Sequence, residues 1–369
     1  MIWSTPALQD TTIYENDPYI NTGLDQILEL RKDINITNSN LVESRILIKF
    51  DLSNLSDILS TNNINIDNIT ANLRLYTVQE SEVPFSYTIQ AKAISNNWSN
   101  GTGYLTYPGG TVDSTSITDG ATWKTIQGSG SSNWTSISGS SDTVLYNSVP
   151  GGGTWYTASI ASQSFSFKSD DIVNLDVTNI VKSWYTGSIS NNGFLVTFKN
   201  SEITVPNYPN TLLQFYSSDT HTVYEPQLYI NWTGSVYRTG SLTVTTYEDN
   251  PIVYVNAFKG EFLKDKKVRV LLGARPKYPR TSFTQNSEFA TVKALPASSY
   301  YQIKDAHNDN IIIPYSNYTK ISTNTAGSYF DIYTTMLYPE RFYKFEIKSV
   351  FTDTESYFFS NDFIFKIIK

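Results

Sequence analysis

The chain of 369 residues contains no cysteine. Disulfide scaffolds, cysteine-ligated zinc and thiol nucleophiles are thereby excluded. Histidine is almost as scarce: His221 and His307 are the only two. Neither has a second histidine near it in sequence, so a histidine-rich metal site is not expected. No apolar run approaches roughly 18 residues, the length of a membrane-crossing helix. The opening MIWSTPALQD has no basic n-region and no apolar h-region, so no signal peptide is expected. Lack of both cysteine and an export signal suits assembly in a reducing cytoplasm, with release by a route such as lysis. Alanine is sparse, and no window of about 12 residues carries an apolar stripe of helical period.

What is abundant points to β structure. Hydrophobic residues make up 40% of the chain, enough for real cores, and aromatics 14%, led by 26 Tyr and 19 Phe. Tyr, Phe, Thr, Val and Ile suit a pleated, half-buried backbone, and the Asn and Ser runs between them read as turns. Charge is unevenly placed. Residues 1–235 hold 10 Lys+Arg against 21 Asp+Glu, a net −11, and residues 236–369 hold 17 against 13, a net +4. The sign change near residue 235 marks two units with different surroundings. The acidic half should repel nucleic acid, and the basic half is only mildly positive, so no nucleic-acid partner is expected.

Period-two alternation recurs along the first half. It is clear in residues 45–51, where Ile46, Ile48 and Phe50 share one face and Leu47 and Lys49 the other. Residues 70–78 and 85–94 repeat it, and shorter strands are expected at 12–14, 26–31, 163–168, 191–199 and 227–232. Ile180, Val181 and Trp184 fall at helical spacing after Asp176 and Thr178, which predicts a short helix capped by one of those two residues. Residues 99–164 form a Gly/Ser/Thr-rich stretch too long for a plain connection. It carries Trp123, Trp134 and Trp155, so it is expected to pack on its own aromatics. Beyond a boundary at 234–240, strands are expected at 241–247, 252–258, 267–272, 300–304, 311–314, 329–333, 342–350 and 358–368. That spacing suggests a sandwich of immunoglobulin or fibronectin type, with Tyr343 where a tyrosine-corner residue would sit. The fold class is thus all-β: a jelly-roll sandwich over 1–235, then a smaller immunoglobulin-like sandwich over 236–369.

No catalytic constellation stands out, so the chain is expected not to be an enzyme. Asp170, Asp171 and Asp176 are close in sequence and Glu80 and Glu82 share one strand face, but nothing marks them as a facing pair. Asp51 and Asp176 read as turn or cap acceptors. His221 and His307 lie in polar, turn-like surroundings unsuited to a triad. The glycine clusters at 108–110 and 151–153 do not follow a strand and open a helix, so they are not phosphate loops. No cofactor is expected; a structural Ca²⁺ on loop carboxylates such as Asp17, Asp25 and Asp33 stays open. Trp98, Trp123, Trp134 and Trp155 pose a choice between a sugar-stacking platform and internal anchors. Trp134 and Trp155, in Gly/Ser contexts, are the glycan-stacking candidates. Arg275, Lys277, Tyr278 and Arg280, in the run RPKYPR, are candidates for an interface. Its two prolines argue against a central strand, and Arg and Tyr are favoured as interface anchors.

Several motifs occur in an order that resembles the DNRLRE-type β-sandwich domain, a jelly-roll module related to carbohydrate-binding modules. They are Asn21-Thr22-Gly23 with 27–30; Arg45 with Phe50-Asp51-Leu52-Ser53; and Ala71-Asn72-Leu73-Arg74-Leu75-Tyr76. Trp98 with Gly101-Thr102-Gly103 follows, then Gly120-Ala121-Thr122-Trp123 and Asp176-Val177-Thr178 with Val181 and Trp184. Asn191-Asn192-Gly193-Phe194 and Pro226-Gln227-Leu228 complete the series. The resemblance implies structural use of Trp98, Trp123 and Trp184. More loosely, residues 275–280, 299–305 and 338–344 resemble C-terminal β domains of large phage structural proteins. Together these imply a structural protein of a tailed-bacteriophage virion, from the neck, tail, baseplate or fibre region. Such a protein would be assembled in the bacterial cytoplasm, held by other virion proteins and by copies of itself in a symmetric assembly. A carbohydrate-binding protein that recognises a host or cell-surface glycan is the alternative.

Overall fold

The structure is a computed structural model. It describes residues 1–34, 41–78, 86–103, 119–128, 132–135, 140–142, 151–166, 172–203, 210–234, 236–256, 258–278, 292–352, 356–360 and 363–369. The chain is all-β, with 50% strand and 9% helix in several sheets, one of them nearly closed. It divides into two compact units, Ser4–Ile230 and Met1–Trp3 with Asn231–Lys369. Residues 1–3 and 231–235 carry no charged side chain. The first unit therefore holds the whole −11 and the second the whole +4.

The acidic unit is built on β1 (Ile2–Tyr14), β2 (Ile27–Ile34), β3 (Leu41–Phe50), β4 (Ile69–Tyr76), β5 (Tyr87–Ile94) and β6 (Ser140–Asp142). β7 (Thr154–Phe165), β8 (Ile172–Asp176), β9 (Phe194–Phe198), β10 (Thr211–Tyr216) and β11 (Gln227–Trp232) complete it. The strands run β6-β7-β5-β9-β3-β1-β11-β4-β8, and β2 branches from β3 to carry β10. A bridge from Thr77 to Phe215 brings β10 beside the end of β4, which nearly closes the sheet. Alternation drives these strands. In β4, Ile69, Ala71, Leu73 and Leu75 are buried and the residues between them are half-buried. β3 departs from a single buried face, because Leu47 and Arg45 are buried as well as Ile46 and Ile48. Ala121, Trp123 and Trp134 of the Gly/Ser-rich stretch, with Trp98, lie in one apolar cluster with Ile13, Leu47 and Leu195 and cover that second face.

Helix is confined to short pieces: α1 (Leu55–Thr61), α2 (Thr178–Tyr185) and α3 (Asn200–Ile203). α2 buries Ile180, Val181 and Trp184, the residues expected to form its apolar face. Its N-cap is Val177 rather than Asp176 or Thr178. Asp176 still shapes the entry, since Oδ1 accepts from the Thr178 N–H at 3.0 Å and from the Thr178 hydroxyl at 2.5 Å. Among the described residues no helix is long and apolar enough to cross a membrane.

The basic unit has β12 (Pro251–Asn256), β13 (Glu261–Leu263), β14 (Lys267–Pro276), β15 (Ser299–Asp305) and β16 (Ile311–Ile313). Then come β17 (Ser322–Asn324), β18 (Gly327–Tyr333), β19 (Phe342–Val350), β20 (Ser356–Phe359) and β21 (Ile364–Ile368). They form a four-stranded sheet, β12-β14-β18-β17, and a six-stranded one, β13-β21-β19-β15-β16 with β20 on β19. Aromatic side chains join the two sheets: Tyr301 stacks on Phe330 at 4.3 Å, and Phe330 meets Phe345 edge-on at 5.3 Å. Tyr343 is buried, and its hydroxyl accepts from the Tyr338 N–H five residues upstream at 2.8 Å. Residues 241–247 do not form the expected strand. Val244 makes an isolated parallel bridge to Ala294, and among the described residues the pairing extends no further into a ladder.

Candidate functional site

The run RPKYPR starts inside regular structure. Arg275 and Pro276 end β14, opposite Ile252 and Pro251 of β12. β14 lies between β12 and β18, so the expectation that the prolines keep this segment out of a central strand is corrected. Pro276 is tolerated because it is the last residue of the strand, beyond the 267–272 stretch that pairs with β18. Past it the chain emerges. The Lys277 N–H bonds the Asp249 carbonyl at 3.2 Å, and Tyr278 is 76% exposed, the largest exposure among the described large hydrophobic side chains. The Lys277 ammonium lies 5.5 Å from the Tyr278 ring centre. Arg280 lies outside the described residues.

Trp134 and Trp155 are buried, at 7% and 4% exposure, and belong to the cluster over the second face of β3. They offer no open ring to a sugar, which corrects the glycan-stacking expectation. Trp134 lies in a loop and Trp155 in β7, and a Gly/Ser context does not show what covers either. Beneath them sits a buried ionic group. The Arg45 guanidinium pairs with Glu43 and donates to the Gly152 carbonyl at 2.6 Å. It lies 4.9 Å from the Trp123 ring centre and 5.5 Å from that of Trp155. Lys92 reaches Trp155 at 4.3 Å. Burial first and the Arg45 charge second, against the pull of Glu43, lower the Lys92 pKa to about 8. This constellation joins strands to loops and is closed to solvent.

An open site lies in the basic unit, in a pocket of about 60 Å³ lined by Val236, Tyr237, Arg269, Tyr301, Asn317, Tyr318, Lys320, Tyr329 and Asp331 among others. Three local structures assemble it. Register places Arg269 of β14 opposite Asp331 of β18, and Nε and Nη2 form a fork to the carboxylate at 2.7 and 3.0 Å. That bond raises the arginine pKa above its ordinary value. A capping box between Ser316 and Thr319 fixes the turn that presents Asn317, Tyr318 and Lys320. Residues 237–239 lie alongside β17, with the Tyr237 N–H on the Ser322 hydroxyl at 3.3 Å and the Thr323 N–H on the Tyr237 carbonyl at 2.8 Å. At the floor, burial first and the Asp331 charge second raise the Tyr301 pKa.

No protein-family model matches the chain, and no curated protein matches it.

The remaining candidates do not converge. Asp17 is exposed, Asp25 and Asp33 are half-buried, and Asp33 accepts from the Asn210 amide at 3.0 Å. Among the described residues no group of three or more His, Asp or Glu is placed to hold a metal ion. Glu80, Glu82, Asp170 and Asp171 lie outside the described residues, and His221 and His307 are both exposed. Sequence reasoning missed the pocket because its residues come from six separated segments. The alternation around Arg269 and Asp331 shows which face each occupies, but their pairing depends on strand register.

Proposed function

We propose that this chain is a non-enzymatic structural protein of a tailed-bacteriophage particle, holding protein partners in the neck, tail, baseplate or fibre region. The acidic unit is read as a jelly roll and the basic unit as an immunoglobulin-like sandwich. The observation that carries the reading is the charge split between the two compact units, −11 against +4, with Tyr278, Lys277 and Arg275 at the rim of the basic one. Opposite charge on two surfaces of one chain favours head-to-tail contact between copies, because it steers encounter and rejects the like-charged orientation. An exposed tyrosine flanked by cations supplies the kind of anchor on which interfaces concentrate their energy. The ordered motif resemblance supports the virion setting, and Trp134 and Trp155 no longer support the glycan alternative.

The test is to change Arg275, Lys277 and Arg280 to Glu and measure fold and incorporation into particles separately. A folded variant should be depleted from particles. Normal incorporation removes this segment from the interface, and absence of the wild-type chain from purified virions removes the structural reading altogether.

A further inference from the structure

We propose that the pocket of the basic unit binds an anionic sugar, with its acidic substituent inside and its ring at the lip against Tyr237. The proposal is independent of the virion reading, since it concerns the isolated chain. Size sets the first limit. At about 60 Å³ the pocket holds a few water-sized groups, at roughly 10–15 Å³ each, and is well below the several hundred Å³ of sites that enclose a whole ligand. A carboxylate or phosphate group fits inside, and a pyranose ring must stay outside.

Charge sets the second limit. Asp331 is the one acid among the described lining residues, and it is already engaged by Arg269 and, at 3.6 Å, by Lys267. Arg269 uses Nε and Nη2 for that bond, and Nη1 has no partner among the described residues. Lys320 is exposed and makes no ion pair among the described residues. Arg269, Asp331 and Lys320 together leave the lining one net positive charge, with Lys267 beside Asp331 and the Met1 amine lowered by burial to a pKa of about 5, which favours an anion. The Arg269 fork is fixed by Asp331, so little order is lost when its remaining edge meets an oxyanion.

The lip supplies the third element. Tyr237 is 56% exposed and its backbone is held to β17 at both N–H and carbonyl. A flat ring on a fixed backbone complements the apolar face of a sugar. Tyr329 is different, because the Arg269 guanidinium already lies 4.4 Å from its ring centre. Asn317, exposed in the lining, adds an amide for sugar hydroxyls.

The experiment is ligand-observed NMR on the full chain with glucuronate, glucose 1-phosphate, glucose and inorganic phosphate as probes. One or both acidic sugars should bind at least ~10-fold more tightly than glucose, and binding should weaken as salt rises. Glucuronate alone would assign a carboxylate ligand, and glucose 1-phosphate alone a phosphate ligand. Lys320→Glu and Tyr237→Ala, both at exposed positions, should each weaken binding ~10-fold or more with an unchanged melting curve. Equal binding of glucose overturns the role of the cations. Inorganic phosphate as tight as glucose 1-phosphate, with no response to glucuronate, overturns the role of the ring. Silence of both acidic sugars at millimolar concentration, or full binding by both variants, overturns the site. None of these outcomes touches particle incorporation, so this proposal and the structural one fail separately.

Discussion

Asn21 donates from Nδ2 to the carbonyls of Asn100 and Ala121, both at 2.8 Å, and accepts at Oδ1 from the N–H groups of Gly103 at 2.8 Å and Gly23 at 3.2 Å. One side chain thus ties together three of the motifs in the first half of the sequence. The glycines follow from that closeness: a Cβ on Gly103 would lie 2.1 Å from the Asn21 carbonyl oxygen. Asn21→Asp sets a carboxylate against two carbonyls, and a buried polar mismatch of this kind costs about 3 kcal/mol or more. Urea denaturation should show that loss, and an unshifted midpoint would deny Asn21 this role. Asp10 makes a different residue-level case. Burial pushes its pKa up to about 7, against hydrogen bonds from Ser218 that lower it, and Oδ1 has no partner among the described residues. The folded state therefore binds the proton more tightly than the unfolded chain. Stability should be greatest below about pH 4 for this group and fall as pH rises to about 7, by up to about 4 kcal/mol. Asp10→Asn should flatten that slope and exceed the wild type in stability at about pH 8, as measured by denaturation at both ends of the window.

β3 shows at the element level how a strand with one apolar face comes to be buried on both. Its inner face needs no help beyond Ile46, Ile48 and Phe50. Its outer face carries Glu43, Arg45 and Leu47, and the cover over it comes from segments more than 50 residues away in sequence, around Trp98, Trp123 and Trp155. Removing one member of a buried ion pair strands the other, at a cost of about 3–5 kcal/mol, whereas replacing both by groups of similar volume is far milder. Arg45→Met alone should therefore destabilise strongly, and adding Glu43→Gln should recover part of the loss. A double-mutant cycle by thermal unfolding checks this, and strict additivity would mean that the two side chains act independently.

For the whole molecule, the −11 and +4 units predict association that depends on ionic strength. The screening length falls from about 10 Å at 0.1 M salt to about 3 Å at 1 M. Sedimentation at the two conditions should show assemblies at the lower and dissociation at the higher. The Arg275, Lys277 and Arg280 to Glu variant should behave at low salt as the wild type does at high salt. Association that strengthens with salt would point instead to apolar contacts through exposed rings such as Phe342 and Phe358.

Local pattern alone determined the all-β class, the change of charge at the unit boundary, and elements whose apolar residues keep a fixed period, such as β4, β19 and α2. These depend on side-chain sequence within one segment, which is what alternation and helical spacing record. β1 was only partly legible. Of its thirteen residues, Pro6 lacks a donor and the stretch Gln9–Thr12 is polar, so pairing with β3, across an irregularity between Ala7 and Gln9, makes the strand. Residues 241–247 are the converse, alternating in sequence but pairing with a neighbour only at the Val244–Ala294 bridge among the described residues. The burial of Trp134 and Trp155, the Arg45–Glu43 pair and the Arg269–Asp331 fork were decided by tertiary structure. Each depends on which distant backbone lies opposite or above, and no local period carries that information.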